Sequence, residues 1–174
     1  ISSKRMASES RIFLEEHAVP RELMSAYSTL AKDCEQTAAS LLSTMSKRDM
    51  QRVHGDCHTG NILWRDDTPH FVDLDDCVSG PAIQDIWMFL SGDRFQQERQ
   101  LSEFVSGYEE FHEFDFRQLA WIEALRTLRI MHHAFWLASR WDDPAFPRAF
   151  PWFGQARFWS DHILELREQL GVMQ

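Results

Sequence analysis

A chain of 174 residues with 44% hydrophobic and 13% aromatic residues, seven Trp and thirteen Phe among them, can bury a core of its own and does not read as disordered. A formal net charge of −9 and a pI near 5.3 argue against nucleic acid as a partner, because a phosphate backbone needs a basic face. Cys34, Cys57 and Cys77 form an odd set without C-x-x-C spacing, so they make neither a disulfide framework nor a zinc knuckle.

No apolar run approaches the ~20 residues of a membrane span, and no signal peptide opens the chain. The expectation is a monomer in the cytoplasm, with no membrane partner. The first residue is Ile1 and not Met, as in a fragment, a processed product or the ordered part of something longer.

In chain order, residues 1 to 10 are polar and carry little pattern, and Arg11 to His17 fit one short helix closed before Pro20. A long helix is expected from Pro20, since proline suits a first turn. Its apolar stripe runs Leu23, Tyr27, Leu30, Cys34, Ala38, Leu41 and Met45, at steps of three or four. Ser46 to Asp49 breaks the pattern. Ile62–Trp64 and His70–Val72 read as two strands of a hairpin, joined by Arg65 to Pro69. Gly80-Pro81 ends an irregular stretch, and Ala82 to Leu90 reads helical. Further helices are marked by Leu101 to Phe111, by Leu119 to Leu137 and by Phe158 to Leu170. Between the last two, WDDPAFPRAFPWF (residues 141 to 153) reads as a loop, either a groove wall or an apolar lid.

The polar residues concentrate in VHGDCHTGNILW (53 to 64) and FVDLDD (71 to 76). A zinc site from His54, Cys57 and His58 would need a fourth ligand elsewhere, and their spacing matches no standard pattern. His54 reads as a scaffold histidine. Gly55 and Gly60 let the backbone bend tightly around Asp56 and Asn61. Asn61 opens one hairpin strand and Asp73 closes the other, so both face the same small volume. An Asp and an Asn offer hard oxygens, which suit Mg²⁺ better than zinc. Two carboxylates ~4 Å apart repel by roughly 4 kcal/mol at an effective dielectric of 20, so Asp56, Asp73, Asp75 and Asp76 cannot share a pocket without a cation or an arginine. For Asp75 and Asp76, a supporting role and a surface role stay equally open. Cys57 and Cys77 read as small fillers whose thiols the neighbouring acids keep protonated. Arg126 and Arg129 read as structural ion pairs.

The spacing in HGDCHTGN resembles the kinase catalytic loop H-R-D-x-x-x-x-N. With Gly55 in place of Arg, and FVDLDD in place of D-F-G, it is similar to the aminoglycoside phosphotransferase and choline kinase branch. The longer string HGDCHTGNILWRDD…FVDLDDCVSGPAIQDIW is most similar to Ser/Thr protein kinases of the bacterial stress-response type. The likeness runs from about residue 10 to the end and takes in YEEFHEFD and WDDPAFPRAFPW.

The resemblance implies an α+β, predominantly helical fold: the C-terminal lobe of a protein-kinase-like enzyme, with a small β-hairpin carrying the catalytic and metal residues. One domain over 1–174 is expected, divided into an N-terminal segment (1–19), a long helix and linker (20–52), the catalytic loop and hairpin (53–80) and a helical part (81–174). It implies ATP as co-substrate and Mg²⁺ as cofactor. Asp56 and Asp73 would be catalytic, Asp56 accepting the substrate hydroxyl proton. Asn61 and Asp73 would hold the metal, and His58 would touch the γ-phosphate. Asp85 would tie down the catalytic-loop backbone.

Two departures stand out. Thr59 replaces a common proline. No G-x-G and no strand lysine occur, the only lysines being Lys4, Lys32 and Lys47, so the nucleotide-gripping N-terminal lobe is expected to lie outside this chain. The implied function is phosphate transfer from ATP to a Ser/Thr hydroxyl of a protein. The alternatives are a small-molecule kinase acting on an aminoglycoside, amino alcohol or sugar, or a non-catalytic binding fragment.

Overall fold

The structure, a computed structural model, describes residues 4–174, the first two of them by backbone alone. Residues 1–3, the start of the expected polar segment, fall outside the described residues. After a helical turn at Lys4–Glu9 come α1 (Ser10–His17), α2 (Met24–Leu42), β1 (Gln51–Val53), β2 (Ile62–Arg65), β3 (Thr68–Phe71) and β4 (Val78–Gly80). Then follow α3 (Ile83–Ile86), α4 (Arg94–Tyr108), α5 (Ile122–Ala138), α6 (Ala145–Ala149) and α7 (Ala156–Met173). The fold is predominantly helical, as expected. The described residues fall into two compact units, 45–122 on the one hand and 4–44 with 123–174 on the other.

The helical unit is built on apolar stripes. α2 starts at Met24 and not at Pro20: Leu23 and Met24 first donate three residues back, to Pro20 and Arg21, before Tyr27 makes the α-type bond to Leu23. The stripe is also centred differently, on Tyr27, Ala31, Cys34 and Ala38, with Leu30 only half-buried. α7 lies along this face. The Cys34 thiol donates to the Leu166 carbonyl at 3.4 Å, and Tyr27 meets Trp159 edge-on at 6.0 Å. α5 completes the core with Leu125, Leu128, Met131 and Leu137. α1 is clipped to α2 by Arg11, which bridges Glu15 and Glu35, each at 3.1 Å. The 141–153 loop is less irregular than its Pro content suggested, since α6 forms inside it around a mutually packed set of Trp136, Phe146 and Phe150.

The other unit carries two separate two-stranded sheets. One is the expected hairpin, β2 with β3, paired Ile62 to Phe71 through Arg65 to Thr68. Its turn is shorter than expected. Asp66 and Asp67 alone make it, both at positive φ (51° and 57°), the geometry of the hairpin turn whose twist suits antiparallel strands. The second sheet was not foreseen: β1 and β4 pair antiparallel, with Val53 opposite Val78. Ahead of β1, Ser46 and Asp49 form a capping box around a short 3-10 turn. Asp93 and Gln96 do the same for α4. α4 ends at Tyr108, so Phe111 lies beyond it and is exposed. Val53, Cys57, Ala82, Ile83, Ile86, Trp87, Val105, Phe114 and Trp121 are buried apolar residues of this unit.

Candidate active site

β1 delivers the chain into the loop His54–His58, and β4 returns alongside β1 before Gly80-Pro81 turns it into α3. Strand pairing therefore sets α3 beside the loop. Asp85 accepts the His54 amide N–H at 2.7 Å and the Gly55 N–H at 2.9 Å, one on each carboxylate oxygen. This is the contact expected of it. Gln84, which the sequence did not single out, donates its side-chain amide to the Gly55 carbonyl at 2.9 Å and is buried. The N-terminus of α3 is held in turn by buried Gln118, whose Oε1 accepts the Ile83 N–H at 3.1 Å.

Gly55 has φ +89°, and a Cβ there would sit 2.3 Å from the Asp76 carbonyl oxygen. Only glycine suits a left-handed residue pressed against backbone in this way. The contact also gives Asp76 a role through its main chain, while the side chains of Asp73, Asp75 and Asp76 are exposed.

Beyond Gly55 the loop folds on itself. The Asp56 carbonyl accepts the His58 N–H at 3.0 Å and the Asn61 side-chain amide at 3.0 Å. With its Nδ2 committed there, Asn61 keeps Oδ1 as its acceptor. His58 accepts the Gly60 N–H on Nδ1 at 3.0 Å, so the ring proton is on Nε2. That Nε2 lies 3.6 Å from the Asp56 carboxylate. Asp56, His58 and Asn61 are thus brought together.

Asp73 follows the hairpin directly. The Val72 N–H donates to the Asn61 carbonyl at 3.0 Å, one rung past the last strand pair, and Asp73 is the next residue. It adopts a left-handed conformation, φ 60° and ψ 59°, which bends the chain out of β3. His54 ties loop to hairpin by donating Nε2–H to the Val72 carbonyl at 2.8 Å, the scaffold role read from the sequence.

The Cys57 thiol, buried in the loop, is pushed up to about 11, by burial first and by Asp85 and Asp56 second. The acids had been expected to dominate; the apolar surroundings outweigh them.

Among the described residues no group of three or more His, Cys, Asp or Glu side chains is gathered to hold a metal. An asparagine oxygen such as Asn61 Oδ1 and a carboxylate such as that of Asp73 are hard donors of the kind that Mg²⁺ takes, completing its shell with water and substrate phosphates. A groove of about 440 Å³ lined by Trp152, Phe158 and His162 opens in the helical unit, and no candidate residue lines it. Of the candidate residues, Asn61 is buried, Asp56 and His58 are half-buried and Asp73 is exposed.

An Asp and an Asn five apart on a clamped loop, with a second Asp at a hairpin exit, on a mainly helical scaffold, have the layout of a kinase-like phosphotransferase. Residues 2–122 match the APH phosphotransferase enzyme family, and the chain belongs to that family. Stress response kinase A of Escherichia coli K12 is 43% identical over 164 residues, covering 94% of this chain and 49% of that protein. The serine/threonine protein kinase RdoA of Salmonella typhimurium LT2 is 49% identical over 122 residues, covering 70% of this chain and 37% of that protein. Among solved structures, amicoumacin kinase hAmiN in complex with AMP-PNP, Ca²⁺ and Ami superposes with a TM-score of 0.64 at 22% identity, over 93% of this chain and 48% of that one. The fold is shared at that distance. The chain spans about half the length of the relatives it matches.

Proposed function

We propose that the full-length protein is an ATP- and Mg²⁺-dependent phosphotransferase acting on a Ser/Thr hydroxyl of a protein substrate. What supports this reading is the bond from the Asn61 amide to the Asp56 carbonyl, together with the backbone rung from Val72 to Asn61 that precedes Asp73 in the chain. Phosphoryl transfer asks for little covalent chemistry from the protein; positioning and charge neutralisation do most of the work.

Asp56 accepts the proton of the acceptor hydroxyl and orients its oxygen. His58, with Nε2–H directed towards Asp56, keeps that carboxylate in place and lies within reach of the transferred phosphate. Asn61 Oδ1 and the Asp73 carboxylate would hold Mg²⁺, which when bound neutralises the charge of the phosphates. Protein acceptors are favoured by the relatives named as stress response and serine/threonine kinases. A small-molecule alcohol is the second reading, favoured by the fold neighbour named as an amicoumacin kinase. No helix among the described residues is long and apolar enough to cross a membrane. We place the protein in the cytoplasm as a monomer, with no nucleic-acid partner.

The test is transfer from labelled ATP by full-length protein to protein and alcohol acceptors. Asp56→Asn is expected to lower turnover by ~10²–10⁴-fold with nucleotide affinity kept. Asp73→Asn is expected to lose both turnover and Mg²⁺-dependent nucleotide binding. Normal transfer by either variant sinks the assignment.

A further inference from the structure

We propose that Gln84 is a positioning residue for Asp56, a role that rests on the phosphotransferase reading above. Asp56 is attached to the scaffold through the peptide that joins it to Gly55. Asp85 fixes the two N–H groups ahead of that peptide, those of His54 and Gly55. The Gly55 carbonyl, the oxygen of the Gly55–Asp56 peptide itself, is held by Gln84 Nε2 at 2.9 Å. This bond fixes the plane of the peptide immediately before Asp56, and with it the direction in which the Asp56 Cα–Cβ bond leaves the chain.

Gly55 makes such a restraint necessary. At φ +89° and with no side chain of its own, it gives the peptide no local preference for one orientation. Loop bonds downstream do not substitute, since the His58 N–H and the Asn61 amide both act on the Asp56 carbonyl, on the far side of its Cα.

The chemistry of the bond is specific. Only a donor can face a carbonyl oxygen, so the amide nitrogen points at Gly55. Gln84 is 4% exposed, which leaves water little access to replace it. Its helix is clamped at the start by Gln118 on the Ile83 N–H at 3.1 Å, so the amide comes from a fixed platform. A glutamate of equal size would place carboxylate oxygen against carbonyl oxygen. A methionine of similar volume would leave the carbonyl unpaired without repelling it.

The experiment compares full-length wild type with Gln84→Glu and Gln84→Met. It follows turnover, ATP binding in Mg²⁺, thermal midpoint, and amide hydrogen exchange across residues 53–58. A misdirected Asp56 is expected to lower kcat about 10- to 100-fold, the scale of a positional error near 1 Å. ATP affinity and the thermal midpoint of Gln84→Met should stay near wild type, and exchange should rise within 54–58 and not in α3. Gln84→Glu should be the more damaged of the two.

Wild-type turnover in a folded Gln84→Met protein overturns the proposal. So does a loss of activity that only follows the folded fraction, or failure of both variants to fold, since the amide would then serve stability alone. If the wild type transfers phosphate to no acceptor, the phosphotransferase reading falls by itself. Exchange across 54–58 then still decides whether Gln84 orders the loop.

Discussion

At Gly55 the requirement is steric and local. Alanine would need a left-handed backbone and would drive its Cβ to 2.3 Å from the Asp76 carbonyl oxygen. Gly55→Ala is expected to lower the unfolding free energy by about 2 kcal/mol or more, read by urea denaturation, and to suppress phosphate transfer in the full-length protein. The glycine was visible in the sequence as a tight bend. Its partner across the unit was not, because Asp76 is separated from it by the whole hairpin.

The cysteines also differ residue by residue. Burial pushes both the Cys34 and the Cys57 thiols up to about 11, so at neutral pH both are protonated and shielded. Cys77 is half-buried. Iodoacetamide at pH 7.5 should therefore modify Cys77 first in the folded protein, with Cys34 and Cys57 reacting only after denaturation; mass spectrometry of the tryptic peptides reads the order.

Among the elements, the β2–β3 hairpin has a suboptimal turn. Asp66 and Asp67 both take positive φ (51° and 57°), a region that Asn and Gly occupy at lower cost. Replacing them with Asn-Gly is expected to stabilise the unit by about 0.5–1 kcal/mol, measured as a higher urea midpoint at unchanged slope. The hairpin itself was legible, since two short apolar runs flank a run of turn residues. The turn length was not, because Pro69 looked like a loop residue and proves tolerable in an edge strand that has no further neighbour. α2 shows the same limit in helical form. Its period of three to four was plain, yet the choice of Ala31 over Leu30 for the buried line depends on what lies opposite.

For the molecule as a whole, pH should act through His162. Its ring is buried between Tyr27 and Phe158, both stacked on it, with the opposite charge of Glu165 at 4.0 Å from Nδ1 and His133 as a like charge. Burial pulls His162 down to about 4 from the ordinary 6.5. The unfolded chain therefore binds a proton between pH 6.5 and 4 that the folded chain refuses. Stability is full above about pH 6.5 and falls as pH drops towards 4, by up to ~3 kcal/mol. His162→Phe should flatten that part of the stability–pH curve, followed by denaturation at pH 7, 5.5 and 4.5. The acid limb below it should persist, because the Asp49 carboxyl, held low by the Ser46 hydroxyl and N–H and then by Arg117, keeps its contribution until pH falls further.

What the sequence by itself determined was local. Gly55, Asp56, Gly60 and Asn61 lie within a few positions of one another, where spacing alone dictates geometry, and the helices announce themselves by a period that needs no partner to be seen. Only the tertiary structure decided what holds that loop in place. β1 and β4 are three residues each, too short to show alternation. Gln84, Asp85 and Gln118 act on backbone groups 29 to 35 residues away. A buried amide that satisfies a distant carbonyl has no periodic signature in the chain, because the demand it meets arises only once the backbone is desolvated. The candidate residues could be read in a line, and Asp85 with them by resemblance; Gln84 and Gln118 could be found only in three dimensions.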